Sequence, residues 1–312
     1  MKALFIYRAP EHSPNNVERD AAILDAVGEI LSNSQSIGRQ GQSVLTADRC
    51  SEHSLPSQLE DYDLILHMAR RLPTLVRLEH LKHPRIINAP QGVRHVAQSR
   101  ELTLLMLQEA GVPIPNWWAF DPEADEMFLC EPHLQQLLPA WVKAMRPDGA
   151  LPNDVCFVES PLEADTRIME LAAQSVPDII VTQHLEGDLL KCYYVSAPSD
   201  QQSPPFLYWF YPQESGYSKF GNAEQHNTPL ARIPVTDAQL LKLAQDIGTV
   251  LGLHVFGFDA IVQSSNKAGA LIQPTGEPGA PSQITIIDVN DWPSFSPCRQ
   301  EAAQAIARLV SS

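Results

Sequence analysis

Three oxygen-bearing side chains in the carboxyl-terminal part of the chain have the types and spacing of metal ligands. Asp288 and Asn290 are two residues apart at the end of the apolar run 284–289. Such a run predicts a buried strand, and side chains two apart on a strand point to the same face. Asp259 lies in a second apolar run, 257–262. Carboxylate and amide oxygens are hard ligands, so this set indicates Mg²⁺ held between the protein and the phosphates of a nucleotide.

A lysine inside another apolar run indicates where an anion is bound. Lys143 lies in the predicted strand 138–145. Burying a lysine is costly unless the ammonium has a partner of opposite charge. A nucleotide phosphate would be such a partner, and an internal salt bridge is the alternative.

The order of these segments resembles the ATP-grasp superfamily, on its glutathione-synthetase-like side. The resemblance covers roughly residues 86–310. Its motifs follow one another along the chain: the entry segments Ile87-Asn88-Ala89-Pro90 and Ala110-Gly111-Val112-Pro113-Ile114-Pro115, the strand of Lys143, the hinge 179–188, the strand 191–195, and the strands of Asp259 and Asp288.

The resemblance implies an α/β and α+β protein with the ATP-grasp fold and an N-terminal parallel α/β lobe. The implied domains are the N-terminal lobe 1–88, a central lobe 89–185 and a C-terminal lobe 186–312 that carries the metal site. Residues 264–283, rich in Gly, Pro, Ser and Gln, are predicted to be a flexible, dispensable insertion in the third lobe.

The resemblance also implies how ATP and Mg²⁺ are bound. The metal lies on Asp259, Asp288 and Asn290, and the phosphates lie on Lys143 together with Arg100, where a helix-surface arginine is the alternative. The hinge binds adenine through the backbone of Gln183 and Leu185, with Glu186 or Asp188 near the ribose, while the His184 side chain is expected to face solvent. Residues expected near the transferred phosphoryl group are Lys191, Lys219 and Arg146.

The acceptor of the phosphoryl group has two candidate locations. The loop after the first strand offers Arg8, Ser13 and Asn15 at the carboxyl edge of the sheet, where open α/β sheets bind ligands; a simple capped turn is the alternative. The second location is the segment around Lys219, with Asn222 and His226.

Three reactions are compatible with these residues. A carboxylate–amine ligase acting through an acyl phosphate is the first, as the commoner outcome for the fold. A kinase of the inositol-phosphate type is the second, because Asp288-Val289-Asn290 replaces the usual Glu-x-Asn of ligases and Lys191 stands where they often have arginine. A non-catalytic, ATP-binding regulator is the third.

Composition limits the class of protein and its partners. The chain has 312 residues, 44% of them hydrophobic, which suffices for a large core. Its net charge of −15 argues against nucleic acid or an anionic membrane as the main partner and counts mildly against a heavily phosphorylated substrate. The partner that the resemblance implies is a small-molecule acceptor. Five scattered cysteines indicate a reducing cytoplasm. No apolar run is long enough for a membrane span, and the oligomeric state is not indicated.

The N-terminal lobe is predicted to alternate strands and helices, hence a parallel sheet. Its first β–α loop lacks G-x-G-x-x-G, which argues against dinucleotide binding. Beyond this lobe, single helices are predicted over 96–110, 161–174, 237–251 and 298–310, and the segment 121–138 is predicted to lie at the surface. Strands predicted in the N-terminal lobe are 3–7, 43–46, 63–68 and 85–88, with helices at 17–31 and 75–81.

Overall fold

The computed structural model describes residues 2–13, 17–33, 46–81, 85–120, 132–145, 151, 153–199, 203–212, 234–263 and 282–311. In these ranges the chain forms three four-stranded sheets and eight α-helices. Several sequence-based expectations lie outside the described residues: those for Asn15, Arg146, Lys219, Asn222 and His226, and that for nearly all of the insertion 264–283.

The first sheet is parallel, as predicted. It consists of β1 (Lys2–Tyr7), β2 (Thr46–Ser51), β3 (Leu64–His67) and β4 (Ile86–Ile87) in the order β2-β1-β3-β4. The helices α1 (Val17–Asn33) and α2 (Leu72–Glu79) connect its strands. The prediction of a strand over 43–46 lies outside the described residues except for Thr46, the first residue of β2. The rest of β2 was not predicted, because this largely exposed and polar edge strand is defined by its pairing with β1 and not by an apolar pattern.

The helix predicted over 96–110 is in fact two helices, α3 (Pro90–Gln98) and α4 (Arg100–Glu109). Ser99 between them is extended, with φ of −146°, and its side chain accepts a hydrogen bond from the amide of Leu102. Ser99 therefore acts as the N-cap of α4. This break places Arg100 in the first turn of a new helix.

The second sheet is antiparallel, in the order β5-β8-β6-β7. Its elements are β5 (Trp117–Phe120), α5 (Pro132–Leu137), β6 (Ala140–Met145), β7 (Val155–Val158), α6 (Pro161–Ala173) and β8 (Asp178–Gln183). Leu134 and Leu137 of α5 are buried in the core of this sheet. The prediction of a surface segment was therefore wrong for the end of 121–138.

The third sheet is also antiparallel, in the order β10-β9-β11-β12. Its elements are β9 (Asp188–Val195), β10 (Phe206–Phe210), α7 (Asp237–Leu251), β11 (Val255–Gln263) and β12 (Gln283–Asp291), and α8 (Arg299–Ser311) ends the fold. The bounds of α7 agree with the prediction because its ends are encoded locally. Thr236 and Gln239 form a capping box, and Gly252 ends the helix with φ of +65°.

The first and third sheets are packed together. Helix α8 packs against α1, and one apolar core contains side chains of both sheets. Asn88, after β4, accepts hydrogen bonds from the amides of His254 and Val255 through its side chain. A Cβ on Gly92 would lie 1.7 Å from the carbonyl oxygen of Leu251, so α3 contacts the end of α7 backbone to backbone. The second sheet faces the third across a cleft. Among the described helices, none has the length and apolarity needed to cross a membrane.

Candidate functional site

A β-bulge positions the two predicted metal-binding acids. Asp259 of β11 pairs with Asp288 of β12, but Ala260 pairs with Ile286, so Ile287 is an extra residue. Bulges of this kind re-aim side chains and are common next to active sites. The bulge lets both Ile286 and Val289 face the core while Asp288 lies opposite Asp259.

Each of the two acids is paired with a cation. Lys191 Nζ is 2.6 Å from Asp259 Oδ2, and Arg100 Nη1 is 3.1 Å from Asp288 Oδ1. Asn290 donates from Nδ2 to Asp288 Oδ2 at 2.9 Å. Two carboxylates directly opposite on neighbouring strands repel each other, so the cations stabilise the pair. Arg100 therefore points into the site and is not a helix-surface arginine.

Lys143 reaches the same cluster from the second sheet. Its ammonium is buried and donates to the carbonyl oxygen of Ile287 at 3.2 Å. Burial, together with the nearby Arg100 guanidinium, lowers the pKa of Lys143 to about 8, against the attraction of Asp288 and Asp259. Among the described residues, no carboxylate lies within ion-pair distance of this ammonium. Lys143 is thus a buried cation whose charge is only partly compensated.

The cleft between the second and third sheets has a volume of about 760 Å³, part of it open to solvent. The five charged groups lie at one end, and the other end is lined by apolar and aromatic side chains, among them Trp141, Leu185 and Ile261.

The aromatic wall of the cleft includes a residue that sequence reasoning placed elsewhere. His184 accepts a hydrogen bond from Trp141 Nε1 at 3.1 Å, and its ring centroid lies 5.2 Å from that of Phe157. The expectation that the His184 side chain simply faces solvent is therefore wrong: β6 and β7 each supply an aromatic ring against which it packs. The amide of His184 donates to Pro139 O, which fixes the hinge after β8.

Only some of the remaining residues predicted to bind the nucleotide lie in the cleft. Gln183 and Leu185 line the cleft. Glu186 is exposed and Asp188 is buried at the start of β9, and neither lines the cleft. A second, mostly apolar cavity of about 450 Å³ adjoins the cleft behind Arg100.

Arg8 lies in a second cluster of buried charges, between the first and third sheets. Its guanidinium donates to Met68 O at 3.3 Å and to Asp291 Oδ2 at 3.2 Å. Arg70 Nη2 lies 2.6 Å from the other carboxylate oxygen of Asp291, Oδ1. The Glu52 carboxylate accepts hydrogen bonds from the backbone amides of Arg70 and Arg71. Sequence reasoning missed Arg70 and Glu52, since no local pattern links them to Asp291. Arg8 thus joins two sheets, and Ser13 is buried in the loop that follows.

These charges shift one another's protonation. Burial, then repulsion from Arg70, lowers the pKa of Arg8 to about 10. Burial alone would raise the pKa of Asp291, but Arg70 and Arg8 outweigh it and hold that pKa below its usual range. Asp291 is therefore ionised and structural.

The donor set of the predicted metal site is small. In the described part of the chain, no cluster of three or more His, Cys, Asp and Glu side chains has a metal-binding arrangement. Two carboxylates and one carboxamide on a single sheet face nevertheless fit Mg²⁺, which usually takes few protein ligands and completes its shell with phosphate oxygens and water. Site and cleft lie where two antiparallel sheets meet.

Comparisons with known proteins identify the fold. No family model and no curated protein sequence matches the chain. Among solved structures, D-alanyl-alanine synthetase A from Vibrio cholerae is similar with a TM-score of 0.64 and 11% identity, over 100% of this chain and 97% of the other. The D-alanine–D-alanine ligase from Bacillus anthracis gives 0.61 and 12%, over 100% and 95%. A RimK domain ATP-grasp protein from Sphaerobacter thermophilus gives 0.60 and 16%, over 100% of both chains. The protein therefore has the fold of the ATP-grasp superfamily.

Proposed function

We propose that the protein is an ATP- and Mg²⁺-dependent enzyme, a carboxylate–amine ligase that acts on a small-molecule acceptor. The observation that carries this proposal is the convergence of Lys143, Arg100 and Lys191 with Asp259 and Asp288 in one cleft that also has an apolar and aromatic wall. The similar Bacillus anthracis ligase has been solved with ATP, which supports the same nucleotide here.

The two ends of the cleft suit the two ends of ATP. Adenine is flat and apolar on its faces, which matches the wall formed by Trp141, His184, Leu185 and Ile261. The Leu185 amide has no hydrogen bond to the described residues, so it is available to an adenine nitrogen. Lys143 then meets the phosphates at the charged end.

The charges of the site fit a nucleotide with its metal. Three cations, Lys143, Arg100 and Lys191, surround two acids, Asp259 and Asp288, so the cluster is cationic overall. Phosphates would draw Arg100 and Lys143 to themselves and release Asp288 for a cation. Mg²⁺ bound to Asp259, Asp288 and Asn290 would supply neutralisation of phosphate charge during transfer.

The proposed reaction has two steps. An acceptor carboxylate oxygen attacks the γ-phosphorus, the bond to the β-phosphate oxygen breaks, and ADP leaves with that electron pair. An amine then attacks the acyl carbonyl and loses a proton, and inorganic phosphate leaves as the carbon–oxygen bond breaks. Lys191, next to Asp259, is placed to stabilise negative charge on the phosphoryl group, and Lys143 holds the donor phosphates. Roles for Arg146, Lys219, Asn222 and His226 remain proposals.

One alternative has a specific observation in its favour. The Asp288-Val289-Asn290 segment and Lys191 stand where ligases of this fold usually have Glu-x-Asn and often have arginine, which would suit a kinase that phosphorylates a hydroxyl. An ATP-binding regulator without turnover is the third possibility.

A single incubation distinguishes these functions. The protein is mixed with Mg-ATP, hydroxylamine, and pooled carboxylic acids and polyols. ATP binding, ADP release, hydroxamate formation and phosphate-ester formation are measured, with the Asp288→Asn variant as control. A hydroxamate that depends on Asp288 supports the ligase. A stable phosphate ester would identify a kinase, and ATP binding without ADP release would identify a regulator.

A further inference from the structure

The third sheet carries an aromatic surface directly beside the charged residues of the site. Residues paired across antiparallel strands share a face, as do residues two apart on one strand. The first row on this face, here called the metal row, contains Phe210, Lys191, Asp259 and Asp288. The next row, here called the aromatic row, contains Tyr208, Tyr193, Gly257 and Asn290.

The two tyrosine rings of the aromatic row form a platform together with two neighbouring phenylalanine rings. Tyr193 and Tyr208 are nearly parallel, with an interplanar angle of 10° and centroids 6.4 Å apart. The ring centroid of Phe210 lies 6.0 Å from that of Tyr208, and the ring centroid of Phe295 lies 5.3 Å from that of Tyr193. A Cβ at Gly257 would come within 3.0 Å of the Tyr193 ring, so glycine lets this ring lie against the sheet. Tyr193, Tyr208 and Phe210 are each half-buried, and Tyr193 and Tyr208 also pack against the apolar core between the first and third sheets.

The aromatic row has no charged side chain among the described residues, and the row beyond it holds Phe206, Val195 and Val255. Asp291, with its partners Arg8 and Arg70, belongs to the opposite face of β12, since it alternates with Asp288 and Asn290. Among the residues that the structure describes, this surface therefore offers no cation to a multiply phosphorylated acceptor. An uncharged, flat group matches it.

The distance between the rows fixes the size of the ligand. Residues two apart on a strand are separated by roughly 7 Å along it. An acceptor whose carboxylate lies at the metal row, within reach of Lys191, therefore extends over Tyr193 and Tyr208 when a ring begins two or three bonds away, because the width of the ring spans the rest of this distance.

We propose that the acceptor is a carboxylic acid bearing an aromatic ring two to three bonds from its carboxylate, with the ring bound by Tyr193 and Tyr208. This inference rests on the proposed function, because the metal row anchors the reacting carboxylate. It adds a substrate class and two specificity-determining residues to that function.

The test is a binding measurement that does not depend on turnover. Two acids of similar length, 3-phenylpropionate and glutarate, are titrated by ligand-observed NMR in the presence of Mg²⁺ and a non-hydrolysable ATP analogue. Wild type is compared with Tyr193→Leu and Tyr208→Leu, which keep an apolar side chain and lose the ring. Tyr211→Leu is the matched control, since Tyr211 follows β10 and packs against Trp209, away from the platform. Circular dichroism verifies the fold of each variant.

The expected result is that 3-phenylpropionate binds more tightly than glutarate, and that each platform variant weakens it roughly 2- to 10-fold, the usual strength of one aromatic contact. Tyr211→Leu should leave its affinity unchanged. Equal affinity for the two acids, preferential binding of glutarate, or no effect of both platform variants would overturn the proposal. Binding of the ATP analogue, measured on the same samples by calorimetry, reports separately on the proposed function.

Discussion

Replacing Lys143 by Met should stabilise the unliganded protein. Burial lowers the pKa of Lys143 from 10.5 to about 8. Below pH 8 the buried side chain is charged, and the penalty for burying this charge lowers the free energy of unfolding by its full amount. The penalty fades as the pH rises toward 10.5. At 1.36 kcal/mol for each pH unit, it amounts to about 3 kcal/mol at pH 7. Loss of the hydrogen bond to Ile287 costs about 1 kcal/mol, so we expect a net gain of about 2 kcal/mol.

The same substitution should weaken ATP binding. A hydrogen bond to a charged group contributes about 1.5–3 kcal/mol, so the Kd for Mg-ATP should rise roughly 10- to 100-fold. Urea unfolding at pH 7 and pH 9.5 measures the first effect and calorimetric titration the second. Lys242→Met is the control, because Lys242 is exposed on α7 and paired with Asp246. A Lys143→Met protein that is less stable than wild type and binds ATP normally would show that Lys143 has a structural role and does not bind the phosphates.

Three further predictions follow from the same charges. In wild type, the Kd for ATP should rise as the pH passes above about 8, where Lys143 loses its proton, and this rise should be absent from Lys143→Met; titrations at pH 7, 8 and 9 measure it. Asp288→Asn should lower turnover roughly 100-fold or more, while metal-free nucleotide binding is not weakened because Arg100 is released; near-normal turnover at saturating Mg-ATP would contradict the metal assignment. Asp291→Ala should lower the free energy of unfolding, measured with urea, by about 3–5 kcal/mol, because it leaves the buried Arg8 without its carboxylate partner. Arg8→Ala should lower it by less, because Arg70 still binds Asp291. A larger loss for Arg8→Ala would be inconsistent with the ion-pair geometry.

The parts of the fold that were predicted correctly have local signals. The strands of Asp259 and Asp288 are continuous apolar runs, and α7 has a capping box at one end and a glycine at the other. The burial of Lys143 in its strand could be predicted because this charged residue interrupts an apolar run. In each case a few neighbouring residues contain the whole signal.

The parts that were missed depend on contacts between distant segments. The strand β2 is polar and exists through pairing with β1. Asp291 is 221 residues from Arg70, and no pattern in either segment indicates their ion pair. The pairing of Lys191 with Asp259 likewise follows from strand register. The division of the helix at Ser99 had a local signal, a capping serine, that an apolar periodicity running across it obscured.

The most direct test of the account is a crystal structure of the protein with Mg²⁺ and a non-hydrolysable ATP analogue. We expect the adenine between Leu185 and Ile261, the phosphates on Lys143, and the metal in contact with Asp259 and Asp288, whose present partners Lys191 and Arg100 have moved. An analogue bound outside the cleft between the second and third sheets, or a metal that contacts neither carboxylate, would contradict the central claim.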